Sequence, residues 1–244
     1  LALSNGTMLD MPQPSERERK EYLRLQRKLS RQDRTNEKRG GKTAKFQSKR
    51  RMLTLKRMNS LRRRINNRKD DWVAKTTTQL VEDYDLIALE ALKTRQMTRR
   101  PKPKQDPNHQ GCYLHNSATS KAGLNRSILN NRWTDIQNKL EYKTRLAGTQ
   151  LILVDPAYTS QTCNRCGHVA LENRESQAVF QCVNCGNKDN ADVNAAKNIL
   201  NRAIHTTGMD DAEGVEEHAS YGTHVPQESS GETPTPATRM GRLL

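Results

Sequence analysis

Two copies of Cys-x-x-Cys, Cys163/Cys166 and Cys182/Cys185, constrain this chain more than any other feature. The 15 residues between the pairs lie in the range expected of a four-cysteine zinc site. Four thiolates satisfy a tetrahedral ion at Zn–S distances of about 2.3 Å and leave no coordination position open. Each knuckle must turn tightly to aim both sulfurs inward, and Gly167 and Gly186 follow where a positive φ is wanted. Two disulfides are the competing reading. Duplicated knuckles with a trailing Gly favour the metal, and five cysteines, four of them in the knuckles, suit a reducing compartment. A closed site of this kind holds a fold together and does no chemistry itself. Cys112 is left over in a polar stretch and reads as incidental.

The rest of the chain supplies alternating elements. Asn5-Gly6 between Leu1–Ser4 and Thr7–Leu9 predicts a hairpin, and Asp10 reads as a turn residue. Ser15, with Glu16 and Glu18 after it, reads as a helix N-cap. From Arg17 to Lys69 there are 22 Lys and Arg against 4 Asp and Glu, divided at Gly40-Gly41 into two helices. Tyr22, Leu25 and Leu29 mark the apolar stripe of the first; Leu55, Met58, Leu61, Ile65 and Trp72 mark that of the second, which runs to about Glu82. With so little acid interleaved, Arg50, Arg51, Arg62, Arg63, Arg64, Arg68 and Lys69 are expected to line a groove for a nucleic-acid strand. Such backbone contacts position the strand without reading its sequence.

Leu86-Ile87-Ala88-Leu89 is a continuous apolar run, expected of a strand covered on both faces, and it ends in Glu90. Residues 94–127 carry Pro, Gly, Asn and cations with little periodicity and read as a mobile loop. Leu129, Trp133, Ile136, Leu140 and Ala147 predict one helix, which Gly148 ends. Gln150–Val154 reads as a second buried strand, and Asp155 before Pro156 as a turn residue. The zinc ribbon is expected over 158–188 and a final helix over 189–205, opened or capped by Asn190 or Asp192. Residues 206–244 are rich in Gly, Ser, Thr, Pro, Glu and Asp. They are expected to be a disordered tail, because they cannot bury enough apolar surface to offset chain entropy.

A net charge of +15 and a pI of about 9.8 point to a polyanionic partner. Aromatic residues make up 4% of the 244, too few for a wide base-stacking platform, so salt-sensitive phosphate contacts are expected instead. No apolar run approaches the ~20 residues of a membrane span, so no membrane partner is expected.

Thr159-Ser160-Gln161-Thr162-Cys163-Asn164-Arg165-Cys166-Gly167, the second knuckle and Ala191-Asp192-Val193-Asn194-Ala195-Ala196-Lys197-Asn198-Ile199-Leu200 together resemble the transposon-encoded OrfB/TnpB family. Its members are RNA-guided DNA endonucleases related to type V CRISPR effectors. The resemblance implies an α/β, RuvC/RNase H-like domain over 1–157, with a basic helical hairpin over 16–82 and the four-cysteine zinc ribbon as insertions. It places two acids of a Mg²⁺- or Mn²⁺-binding carboxylate triad on Glu90 and Asp192, where spacing alone would suggest a solvated strand end and a helix cap. It also implies guide RNA and DNA as partners and a cytoplasmic, nucleoid-associated location.

Two departures stand out. Ala74 occupies a place where the family commonly has His, and Ala91 follows Glu90 where the family has Asp. The family's first catalytic Asp lies on a strand that would precede Leu1. The expectation is therefore of a C-terminal fragment with little cleavage of its own. The alternative is a non-catalytic zinc-ribbon protein that binds nucleic acid or regulates transposition.

Overall fold

The computed structural model describes residues 1–38, 48–109, 111–176, 178–208 and 240–242. The expected break at Gly40-Gly41 and most of the expected tail lie outside these residues. The chain divides into two units, Asp10–Thr76 and Leu1–Leu9 with Thr77–Leu244.

The first unit is a helical hairpin built from α1, Glu16–Lys38, and the greater part of α2, Lys49–Asp83. A capping box opens α1. The Ser15 hydroxyl accepts from the Glu18 amide at 3.2 Å, and the Glu18 carboxylate accepts from the Ser15 amide at 3.0 Å. The helices run antiparallel, as their cross-contacts show: Glu18 meets Arg68, Tyr22 meets Arg62, and Asp33 meets Arg51. Leu25 and Leu61, both in the expected stripes, are buried between these polar contacts.

In the second unit, residues 1–9 form the expected hairpin. Ala2 bridges Met8, the Leu9 amide donates to the Leu1 carbonyl at 2.7 Å, and Asn5 Oδ1 accepts from the Thr7 amide at 2.9 Å. β1, Leu86–Glu90, lies at the centre of a parallel sheet. On one side it pairs in register with β2, Gln150–Val154, so that Glu90 lies opposite Val154. Four of the five β1 residues are buried, as its apolar run predicts.

The expectation that β2 is also buried is corrected: only Val154 is, and Leu153 is 42% exposed. β2 is an edge strand of the described sheet, so its Leu-Ile-Leu-Val run lacks cover on one side. The tail is corrected at one point too, because the backbone of Met240–Arg242 forms a parallel strand on the other side of β1.

Residues 94–127 also depart from the loop expectation. They contain the short helix α3, Thr94–Met97, and most of α4, Ala118–Asn130. Lys121 Nζ donates to the Met97 carbonyl at 2.7 Å and Asn125 Nδ2 to the Thr98 carbonyl at 2.6 Å, tying α4 to α3. The single helix expected from Leu129 to Ala147 is two. Arg132, at φ +56°, separates α4 from α5, Trp133–Ala147, leaving Leu129 exposed and Ile136 and Leu140 buried.

After β2 come the antiparallel pair β3, Val179–Gln181, and β4, Lys188–Asn190. The last helix, α6, is Ala191–Thr207. Ile199 and Ala203 of α6 pack on Ala88, Val154 and Ile152, so the even-numbered residues of β1 and β2 face α6. No helix of the described residues is long and apolar enough to cross a membrane.

The Arg68 side chain, donating two hydrogen bonds, holds the Glu18 carboxyl down at about 2, with help from the Ser15 amide. A carboxyl lowered on folding contributes stability that is complete above its unfolded pKa and disappears as pH falls through the folded value. Thermal denaturation of the chain should therefore show stability declining as pH falls from about 4.5 towards 2. Glu18→Gln should flatten that decline. The effect should be modest, because surface ion pairs are screened by solvent.

Candidate zinc site and carboxylate cleft

The two knuckles fold in the same way. The Gly167 amide donates to the Cys163 carbonyl at 2.9 Å and the Gly186 amide to the Cys182 carbonyl at 3.0 Å. Each glycine has positive φ, +72° and +70°, the conformation its place after the knuckle called for. The turns bring all four cysteine sulfurs within 4.8 Å of one another. Cys163 Sγ lies 3.7 Å from Cys185 Sγ, and Cys166 Sγ lies 3.6 Å from Cys182 Sγ. A disulfide requires about 2.05 Å. Sulfurs bound at about 2.3 Å to one tetrahedral ion stand roughly 3.8 Å apart. The set therefore fits a metal such as zinc, and all four cysteines are free thiols.

The sulfurs also affect one another. The His168 amide pulls the Cys166 thiol down to about 6. At Cys185 the Asn187 amide pulls the same way, but desolvation and the sulfurs of Cys166, Cys182 and Cys163 outweigh it and push that thiol up to about 12. Four thiolates this close repel, and a bound cation removes that cost. Around them the ribbon has a minimal core, with Phe180 fully buried against Cys163, Cys182 and Ala191. The fully buried Asn173 braces the loops: its amide donates to the Gln161 and His168 carbonyls, and its oxygen accepts from the Val183 amide.

Glu90 ends β1. Lying two residues beyond Ala88, it is on the face that α6 covers. Its Oε1 accepts a 2.6 Å hydrogen bond from Thr159 Oγ1. At the start of α6 it is Asn190 that caps, its oxygen accepting from the amides of Asp192 at 2.9 Å and Val193 at 3.3 Å. The Asp192 carboxylate is thus not spent on the cap. It is 53% exposed, with an Arg174 nitrogen 4.0 Å away. Asp192 precedes Ile199 by seven residues, about 20° from alignment in an ideal helix, so it lies on the α6 stripe that packs on the sheet. Asp155 is a turn residue, as expected, accepting from the Ala157 amide at 3.0 Å.

The cationic residues divide into two groups. Both terminal nitrogens of Arg68 hold Glu18, Arg51 holds Asp33, and Lys69 is 4% exposed. Arg50, Arg62, Arg63 and Arg64 are exposed. A groove of about 960 Å³ between α1 and α2 is lined by Arg50 and by Lys28, Arg31, Lys49 and Arg57, which the sequence reading did not single out. Nor did it single out Thr159, Asn173, Asn194 or Asn198. The one available signal was the i, i+4 pair Asn194/Asn198 in the middle of a helix, where Asn is disfavoured unless it has a partner.

Metal analysis should find one zinc per chain. Cys182→Ser, or treatment with a strong chelator, should remove it and lower the melting temperature by about 10 °C or more, since structural zinc contributes folding energy directly. An unchanged melting curve after zinc loss would contradict a structural role.

The Cas12f1-like TNB domain model matches residues 133–199. InsQ of Escherichia coli (strain K12), assigned by its name to RNA-guided DNA endonucleases, is 36% identical over 81% of this chain and 45% of its own length. The CRISPR-associated endodeoxyribonuclease Cas12f1 of Sulfoacidibacillus thermotolerans is 51% identical over 28% of this chain and 16% of its own. The cryo-EM structure of a Cas12f1–sgRNA–target DNA complex aligns with a TM-score of 0.41 and 25% identity, over 62% of this chain and 38% of that one. The chain spans less than half the length of these curated relatives. By sequence, the chain is similar to TnpB-like and Cas12f-type RNA-guided DNA endonucleases, the resemblance that its cysteine knuckles and final helix carry.

Proposed function

We propose that this chain carries the metal-binding acids of a RuvC-type nuclease and contributes to RNA-guided cleavage of DNA. The observation that supports this most is the placement of Glu90 and Asp192. One ends the central strand on the α6 face, and the other opens α6 on its sheet-facing stripe, released from capping by Asn190. Glu90, at the carboxyl end of a parallel strand, occupies the position where α/β sheets form their sites. The names of the relatives supply the substrate and the guide: RNA-guided DNA endonuclease and endodeoxyribonuclease.

Glu90 and Asp192 offer carboxylate oxygens, the donors that Mg²⁺ and Mn²⁺ prefer. A divalent cation bound there would activate water and neutralise charge on the phosphodiester. The protein's own part is to carry the two acids on β1 and α6, elements that pack against each other. Repulsion between them favours cation capture. The α1/α2 groove and the exposed Arg63 and Arg64 supply phosphate contacts that carry no sequence information. Sequence choice falls to base pairing with the guide.

The test is Mg²⁺-dependent, guide-programmed DNA cleavage by a protein carrying this chain, together with Mn²⁺ binding followed by electron paramagnetic resonance. Glu90→Gln and Asp192→Asn should each abolish cutting and weaken Mn²⁺ binding at least about 10–100-fold, with melting unchanged. Variants that cut like the parent would remove both residues from the site. Arg50→Ala, Arg63→Ala and Arg64→Ala should weaken nucleic-acid binding evenly across sequences, each lowering the salt-dependence slope by about 1.

A further inference from the structure

We propose that Thr159 is a positioning residue for Glu90 and that it ties the Glu90 carboxylate to the zinc ribbon through a ladder of polar side chains on α6; this rests on the reading of Glu90 as a metal ligand. Thr159 is 3% exposed. Its hydroxyl has two acceptors in reach, Glu90 Oε1 at 2.6 Å and the Pro156 carbonyl at 3.1 Å. The shorter contact, to a carboxylate, has the length of a charge-assisted O–H···O⁻ bond and takes the proton. Oε1 is thereby fixed, and rotation of the carboxylate about its last torsion, otherwise broad, is restricted.

The turn that carries Thr159 is in turn held by α6. Asn194, Asn198 and Arg202 recur at i, i+4 and i+8 and point at one segment. Asn194 Nδ2 donates to the Thr162 carbonyl at 2.8 Å. Asn198 Nδ2 donates to the Thr159 and Thr162 carbonyls at 2.9 and 2.6 Å. An Arg202 nitrogen donates to the Asp155 and Ala157 carbonyls at 2.9 and 2.7 Å. Asn194 Oδ1 also accepts from the Asn164 amide at 3.0 Å, inside the first knuckle between Cys163 and Cys166. Asn164 Oδ1 accepts from Asn187, beyond the second knuckle, at 3.3 Å. An unbroken set of hydrogen bonds therefore runs from both knuckles through Asn194 and Asn198 to Thr159 and on to Glu90.

Carboxylates that bind metal are commonly oriented by a hydrogen-bonding partner, and removing the partner costs roughly 10–100-fold in metal affinity. Thr159 provides that bond here. Asp192 lies on the same helix as the ladder, so α6 carries one acid and orients the other.

The experiment titrates Mn²⁺ into the zinc-loaded chain, with binding read by electron paramagnetic resonance. Thr159→Val should weaken binding roughly 10–100-fold, while Thr159→Ser, which keeps the hydroxyl, should restore most of it. Thr159→Ala removes the hydroxyl without adding a methyl in its place and should match Val, giving a second measurement if Val disturbs folding. Combining Thr159→Ala with Glu90→Gln should bind no more weakly than Glu90→Gln alone, because Thr159 acts through Glu90. If Glu90→Gln itself leaves Mn²⁺ binding unchanged, the ligand reading of Glu90 fails. If Glu90→Gln weakens binding but the Thr159 variants do not, or if the two losses add, the positioning role is overturned.

Discussion

Four thiolates within 4.8 Å of one another repel strongly unless a cation lies among them, and the small ribbon they belong to has to resolve that repulsion. The ribbon has little else to hold it. β3 and β4 are three residues each, and a two-stranded pair of that size is not stable by itself in water. Among the described residues, Phe180 is the one large apolar side chain in its buried cluster. Ala191, the first residue of α6, belongs to that same small cluster. The metal clamp and the start of the last helix therefore share one packing unit, and disorder in the ribbon would reach the first turn of α6.

α6 divides its circumference among three tasks. One stripe, with Ile199 and Ala203, buries against the sheet. A neighbouring stripe, Asn194–Asn198–Arg202, supplies donors to carbonyls of residues 155–162, a segment with no strand or helix to satisfy them. A buried carbonyl without a donor costs about 1–3 kcal/mol, so the bond from Asn198 to the buried Thr159 carbonyl matters most, while those from Arg202 to exposed carbonyls net about 1 kcal/mol or less each. The first turn carries Asp192, which stays available because Asn190 takes the capping role. The positive end of the helix dipole favours a carboxylate there.

The features legible in the sequence were those set by local chemistry. The cysteine knuckles with their glycines, the Asn5-Gly6 hairpin, the Ser15 cap and the buried run of β1 all depend on residues close together in the chain. The missed features depend on what comes from elsewhere. Leu151 to Val154 has the composition of a doubly covered strand, but exposure at an edge is decided by topology. α4 hid in a polar stretch because only Ile128 of it is buried, so it left little apolar period to find. Arg132 adopts a left-handed conformation that Arg does not advertise, and it split one expected helix into two. Lys69 sits in a run of cations that looks solvated and is buried all the same. Thr159 and Asn198 were invisible as a pair because 39 residues separate them.

The few acids of the basic hairpin explain how so charged a segment folds. Between Arg17 and Lys69, 22 cations face 4 acids, an excess of 18. Glu18 and Asp33 are each placed where one guanidinium from the opposite helix reaches them, and they fix the antiparallel register near the two ends of α1. The pairs contribute alignment more than energy, since exposed ion pairs are individually weak. The remaining cations repel one another across a groove of about 960 Å³ lined by Lys28, Arg31, Lys49, Arg50 and Arg57. A polyanion bound in that groove would relieve the repulsion and, to the extent that it prefers the folded hairpin to the unfolded chain, would add to the stability of the hairpin.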